Sequence, residues 1–198
     1  NQALLQFQKT PQAWSTANTL LLAQDVPLES RLFSAQTFRS KVTFDLEQLE
    51  GASQEQLRDT LLHALDMYAT GPRVIQTQLC LALAALALQM SEARWANVVP
   101  GMIERFGGAP STVGVLLEFL TVLPEEVSMN HRIPMDNTTY HDRVSQLLTQ
   151  HAMSALQVLI MYIQADGVTS TIQAMIFACL RSWLKTGEVT AMQLAETP

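Results

Sequence analysis

Apolar residues recur along most of this chain at the three- and four-residue spacing of a helix with one buried face, and no stretch sustains the alternation of a half-buried strand. The first clear segment opens at Thr10 and Pro11, a capping residue followed by a proline in the first helical position, and runs to about Gln24, where Asp25, Val26 and Pro27 break it. A second segment covers Leu28 to about Leu49 and stops at Gly51. Ser53 with Gln56 three residues on reads as a capping box for a third, ended by the stretch from Tyr68 to Pro72. Pro72 to Met90 is apolar nearly all round, which predicts a helix buried on several sides. A short helix is expected from about Asn97 to Phe106, closed by Gly107 and Gly108, then one from a Ser111 cap to Leu123, stopped by Pro124. Glu125 to Thr139 reads as a loop, and Tyr140 to Ala165 as the longest helix. Gly167 separates it from Thr169 to Lys185, and Gly187 precedes a last partial helix from about Val189.

The resulting class is all-α. Strongly apolar segments alternate with amphipathic ones at a repeat of about forty residues, the range of HEAT-like helix pairs. The helices divide into repeats at about 1–24, 28–69, 72–106, 111–165 and 169–198 of a single segment. One such pair cannot bury its apolar face alone, so neighbours must stack on it, giving an α-solenoid of antiparallel pairs. Apolar periodicity is already under way at Ala3, Leu4, Leu5 and Phe7 and restarts after Gly187, so the expectation is a fragment truncated at both ends.

Composition narrows the functional classes. Hydrophobic residues make up 48% and charged ones 15%, the balance of a folded helical protein. A net charge of −6 argues against a phosphate-backbone binder, which needs clustered Lys and Arg, and favours a basic protein partner. Cys80 and Cys179 each sit in an apolar run and read as small buried hydrophobes. The most apolar stretch, Leu79 to Leu88, is half the length of about twenty residues that a membrane-spanning helix needs, so no membrane partner is expected.

Four segments carry a resemblance: LFSAQTFRSKV at Leu32 to Val42, VIQTQLCLALAALALQM at Val74 to Met90, LLEFLTVLPEEV at Leu116 to Val127, and CLRSWLKTG at Cys179 to Gly187. In order and spacing they resemble the N-terminal HEAT repeats of the importin-β (karyopherin-β) superfamily of nuclear transport receptors, in particular its transportin-SR branch. That branch includes the fungal importin for shuttling mRNA-binding proteins. The resemblance implies an import receptor that shuttles between cytoplasm and nucleus. It would bind the GTP form of the GTPase Ran on the inner helices of its first repeats. Nucleoporins with phenylalanine-glycine repeats would bind the outer face, and the cargo would be RNA-binding proteins rich in Arg/Ser or Arg/Gly, released when Ran binds. The loop Ser128 to Thr139 follows no pattern of that family.

By that alignment the inner helices are Pro11 to Gln24, Ser53 to Ala69 and Asn97 to Phe106. On the second, Leu57, Leu61, Leu65 and Tyr68 form one stripe, while Gln56, Asp59, His63 and Asp66 fall on the opposite side. Gln12, Ser15 and Thr19 are the polar side of the first, opposite Ala13, Ala17 and Leu21, with Trp14 at the boundary; Glu104 and Arg105 are polar positions of the third. Gln12, Ser15, Thr19, Gln56, Asp59, His63, Asp66 and Glu104 are therefore the candidate Ran contacts, an acidic stripe suited to a basic patch. The outer helices carry Phe33, Phe38, Phe44, Leu81 and Leu88, most of them expected to pack in the core, and Phe33, Phe38 and Leu81 are the candidates for nucleoporin grooves.

No enzyme is expected. His63 shares a helix face with Asp66, and Tyr140, His141 and Asp142 are adjacent, but there is no H-E-x-x-H, paired C-x-x-C, glycine-rich phosphate loop or nucleophile elbow. His131 and His151 add nothing at metal-ligand spacing, so no metal, cofactor or direct nucleic-acid contact is implied. The remaining alternatives are an exportin, which would bind cargo together with Ran, and a HEAT or armadillo scaffold unrelated to transport.

Overall fold

The computed structural model describes residues 2–23, 25–128 and 131–195, and among them every regular element is helical. In chain order these are α1 (Gln2–Gln8), α2 (Gln12–Leu22), α3 (Leu28–Phe44), α4 (Gly51–Met67), α5 (Arg73–Gln89), α6 (Val98–Phe106), α7 (Val113–Ser128), α8 (Asn137–Leu147), α9 (Ala152–Gln164), α10 (Ser170–Lys185) and α11 (Ala191–Ala195). Single 3-10 turns occur at Leu46–Gln48 and Thr149–His151. The chain divides into two compact units, Asn1–Met90 and Ser91–Pro198.

In the first unit α2 packs on α3 and α4 on α5, each pair joined by a short loop that returns the chain antiparallel. Trp14 near the start of α2 accordingly packs against Phe38 deep in α3, their ring centres 6.2 Å apart and their planes tilted by 48°. The helices α3 and α5 also pack together, so first helices and second helices form two layers. Matching helices of the two pairs run the same way. Tyr68 Oη, at the end of α4, donates to the carbonyl of Leu21 at the end of α2, and Gln89 Nε2, at the end of α5, donates to that of Val42 at the end of α3.

Burial follows the sequence period. The stripe Ala13, Ala17 and Leu21 of α2 and the stripe Leu57, Leu61, Ala64 and Leu65 of α4 are buried. α5 buries eleven of its seventeen residues, with alanines at 82, 84, 85 and 87 letting neighbours approach on more than one side. Its start is fastened to α4 by Gln76, whose side-chain amide donates to the carbonyls of Tyr68 at 2.7 Å and Ala69 at 3.1 Å.

In the second unit α6 packs on α7, α9 on α10, and α7 on α10. Tyr162 Oη donates to the carbonyl of Gly107, Ser182 Oγ to that of Thr121 and Trp183 Nε1 to that of Leu120, so here too matching helices run in parallel. The architecture is thus the expected all-α, HEAT-type stacking of antiparallel pairs. The packed pairs are α2/α3, α4/α5, α6/α7 and α9/α10, so the segment 28–69 divides between two pairs.

Helix ends differ from the sequence reading wherever tertiary hydrogen bonds compete with local signals. Thr10 does not cap α2: its hydroxyl donates back to the carbonyl of Phe7, and Pro11 occupies the cap position. The helix expected to Leu49 leaves α geometry at Asp45 (φ −133°, ψ 18°), because the following 3-10 turn lets Gln48 reach Lys9, Trp14 and Lys41. Gly51 consequently opens α4, and Ser53 lies inside its first turn instead of capping it. Ser111 is exposed, and α7 starts at Val113 after Thr112 donates to the carbonyls of Phe106 and Ala109.

Pro124 does not stop α7, which continues to Ser128. A proline inside a helix leaves the carbonyl four residues earlier without its N–H partner. That carbonyl belongs to Leu120, and the Trp183 indole N–H fills the vacancy at 2.9 Å. The long helix expected from Tyr140 is two helices with a break at Leu148 to His151. Leu147 and Leu148 are both buried, and across the break the buried face passes from Arg143 and Leu147 to Ala152, Ala155, Leu156 and Leu159. Asp136 caps α8 by accepting from the Thr139 N–H, which holds its carboxyl below the usual range. The expected end of the first segment at Gln24 lies outside the described residues.

Candidate functional site

In the first unit the first-helix layer carries a polar face on each of α2 and α4. Because the buried stripes of α2 and α4 face α3 and α5, the opposite sides of both helices point away from the second layer. Gln12, Ser15 and Thr19 on α2 and Gln56, Asp59, His63 and Asp66 on α4 are all exposed there. The hydroxyls of Ser15 and Thr19 donate to carbonyls of their own helix, at 3.0 and 3.1 Å, leaving oxygen lone pairs outward. Asp59 Oδ1 accepts from Arg58 Nε at 2.8 Å, so the stripe is negative but partly balanced along its edge. Trp14 is half-buried at the margin and donates to Gln48 Oε1 at 3.2 Å. Glu104 is exposed on α6 in the second unit, beside Arg105, whose guanidinium lies 5.9 Å from the centre of the Phe106 ring.

The outer-face candidates separate. Phe33 and Leu81 are half-buried. Phe38 is only 2% exposed beneath Trp14 and is a core residue, not part of an open groove. Leu88 is also buried, whereas Phe44 stands 57% exposed just where α3 ends.

The sequence reading missed a buried charge. Lys41 is completely enclosed, with Nζ 3.1 Å from Asp45 Oδ2, 3.0 Å from Gln48 Oε1 and 4.8 Å from the centre of the Trp14 ring. An ammonium has three donors, and here two take oxygens while the third side meets an aromatic face. The available signal was the i, i+4 spacing of Lys41 and Asp45, with Gln48 three residues further on.

In the second unit a groove of about 350 Å³ opens between the α6–α7 and α9–α10 turns, lined by Pro110, Val113, Tyr162, Val168 and Ile172 with Asp166 at its edge. Burial pushes the Cys179 thiol up to about 12 and His151 below its ordinary value. Among the described residues no three His, Cys, Asp or Glu side chains converge as metal ligands. No helix among them is long and apolar enough to cross a membrane.

Two families match the chain in tandem. The importin-beta N-terminal domain matches residues 1–66 and the exportin 1-like protein family matches residues 72–198. The mRNA transport regulator MTR10 of Saccharomyces cerevisiae is 36% identical over 191 residues, covering 92% of this chain and 19% of that protein. Transportin MOS14 of Arabidopsis thaliana is 33% identical over 187 residues, covering 92% of this chain and 19% of its own length. Human importin-13 is 30% identical over 188 residues, with 92% and 19% covered. This chain spans about a fifth of the length of these relatives. With both families aligned along helix pairs of the expected kind, the chain belongs to the importin-β superfamily.

Proposed function

We propose that this chain is the GTPase-sensing segment of a nuclear import receptor that shuttles between cytoplasm and nucleus, acting as a binding surface without chemistry of its own. The observation that carries the reading is the tandem match of an importin-beta N-terminal domain and an exportin 1-like region along almost the whole chain. On this reading the GTP form of Ran contacts the polar faces of α2 and α4, through Gln12, Ser15, Thr19, Gln56, Asp59, His63 and Asp66. The negative character of the α4 stripe would steer a basic surface of the GTPase and set specificity more than raw affinity. Phe33 and Leu81, half-buried on the second helices, are the contacts proposed for phenylalanine-glycine nucleoporins, where small apolar sites suit rapid release.

The relatives named as a transportin, an importin and an mRNA transport regulator are in keeping with the transportin-SR branch, and on that reading the cargo is an Arg/Ser- or Arg/Gly-rich RNA-binding protein. Release would follow from linkage: if GTPase and cargo favour different arrangements of the helix pairs, each weakens the other. A direct test retains Ran on the immobilised chain in its GTP-locked and GDP-bound forms. Selective retention of the GTP form is the expected result; equal retention of both, or of neither, contradicts the reading.

The exportin 1-like match keeps one alternative in view, a receptor that carries cargo outward. The direction is read from an Arg/Ser-rich peptide titrated with and without GTP-bound Ran. Import predicts weaker peptide binding when Ran is present, and export predicts tighter binding.

A further inference from the structure

Successive helix pairs are tied together by the same device in both units. In the first, α4 and α5 each send one side-chain donor to a backbone carbonyl of the matching helix in the preceding pair: Tyr68 Oη to Leu21 at 2.6 Å and Gln89 Nε2 to Val42 at 2.7 Å. In the second, α9 and α10 reach α6 and α7 in the same way, Tyr162 Oη to Gly107 at 2.8 Å and Trp183 Nε1 to Leu120 at 2.9 Å, with Ser182 Oγ adding a further bond from α10 to the Thr121 carbonyl at 2.7 Å. Four of these five acceptors share one property. Leu21, Val42 and Gly107 stand in the last turn of a helix or just beyond it, where carbonyls lack an intrahelical donor, and Leu120 lies four residues before Pro124. Each of these four donors thus satisfies a carbonyl that its own helix leaves open.

We propose that these four side chains are latches that fix how neighbouring pairs stack, so that a unit bends or opens only when its latches part. The paired arrangement explains why. One bond between two rods leaves them free to pivot about it, whereas one on each helix layer holds both position and tilt. The glycine at 107 belongs to the device: a Cβ there would lie 2.9 Å from Tyr162 Oη and 2.5 Å from the Ile103 carbonyl, so only glycine lets the hydroxyl close on the carbonyl. In the first unit the tyrosine latch joins α2 to α4, the two helices of the proposed GTPase face. On that reading Tyr68 is a positioning residue that keeps the two polar stripes in register without touching the partner.

The test is hydrogen–deuterium exchange on the whole chain carrying Tyr68→Phe or Tyr162→Phe, substitutions that keep the ring and delete only the donor. Loss of a single net hydrogen bond predicts about five-fold faster exchange. In Tyr162→Phe this acceleration falls on the last turns of α6 and α9, in Tyr68→Phe on those of α2 and α4, and in each case the other unit is unchanged. Gly107→Ala, which crowds the hydroxyl without removing it, is expected to reproduce the Tyr162→Phe pattern. Unchanged protection in those turns overturns the proposal, as does an acceleration spread evenly over both units, which marks a general loss of stability. Exchange is measured without a partner, so a failure of the GTPase reading leaves this test intact.

Discussion

At the scale of single residues, the apolar core of the first pair contains a polar side chain where an apolar one is expected. Lys41 is enclosed, and its charge is tolerated because Asp45, Gln48 and Trp14 occupy its three donor directions. Removing Asp45 leaves a fully enclosed ammonium without its counter-ion, whereas removing Lys41 leaves a carboxylate whose side chain is 20% exposed and still reached by water. Asp45→Ala is therefore expected to cost about 2–3 kcal/mol in urea denaturation, and Lys41→Met no more than about 1 kcal/mol. Equal costs for the two would remove the buried charge from the account. Cys179 provides the pH counterpart. With its thiol pushed to about 12 by burial, the folded chain holds that proton while an unfolded chain releases it near the ordinary value of 9.0. This contribution to stability is complete below pH 9 and is lost as pH rises toward 12, so unfolding midpoints should fall across that window. Folded chain should also resist thiol alkylation at pH 8 at this position and react once unfolded. The buried cysteine was legible from its apolar neighbours, whereas the enclosed Lys41 was not. A lysine in an amphipathic segment reads as solvent-facing until the third dimension supplies its partners.

At the scale of helices, periodicity located nearly every element and local stop signals misplaced their ends. The buried stripes of α2 and α4, and with them the exposed faces carrying the candidate contacts, were legible because the apolar period alone determines which side of a helix turns inward. Pro124 was not, since its effect depends on Trp183, fifty-nine positions away in sequence, donating to the carbonyl that the proline strands. A double-mutant cycle checks this coupling. Trp183→Phe is expected to cost about 2 kcal/mol or more in the native background, from lost volume and an unsatisfied carbonyl. In a Pro124→Ala background position 124 regains an N–H for Leu120, and the cost of Trp183→Phe should shrink by about 1 kcal/mol. Strictly additive effects would show that the two residues act independently. The break between α8 and α9 was illegible for a related reason: adjacent Leu147 and Leu148 are compatible with a continuous helix in one dimension, and the change of buried face across the break shows only in the packing.

At the scale of the whole molecule, the class and the family were readable because they rest on features repeated along the chain: helix pairs, their spacing and four collinear apolar motifs. Partner contacts were readable only as exposed faces. Exposure identifies the side chains free to bind and says nothing of what they bind, which is why Phe38 could be mistaken for a groove residue while Phe44, at a helix end, could not be singled out. The proposed function turns on the negative stripe of α4 meeting the GTP form of Ran. Calorimetric titration of the chain and its Asp59→Ala/Asp66→Ala variant with GTP-bound and GDP-bound Ran, at low and physiological salt, tests it most directly. Binding to the GTP form alone is expected, weaker at higher salt and reduced about ten-fold by the double substitution. Equal affinity for the two nucleotide states, or binding indifferent to both carboxylates, would contradict it.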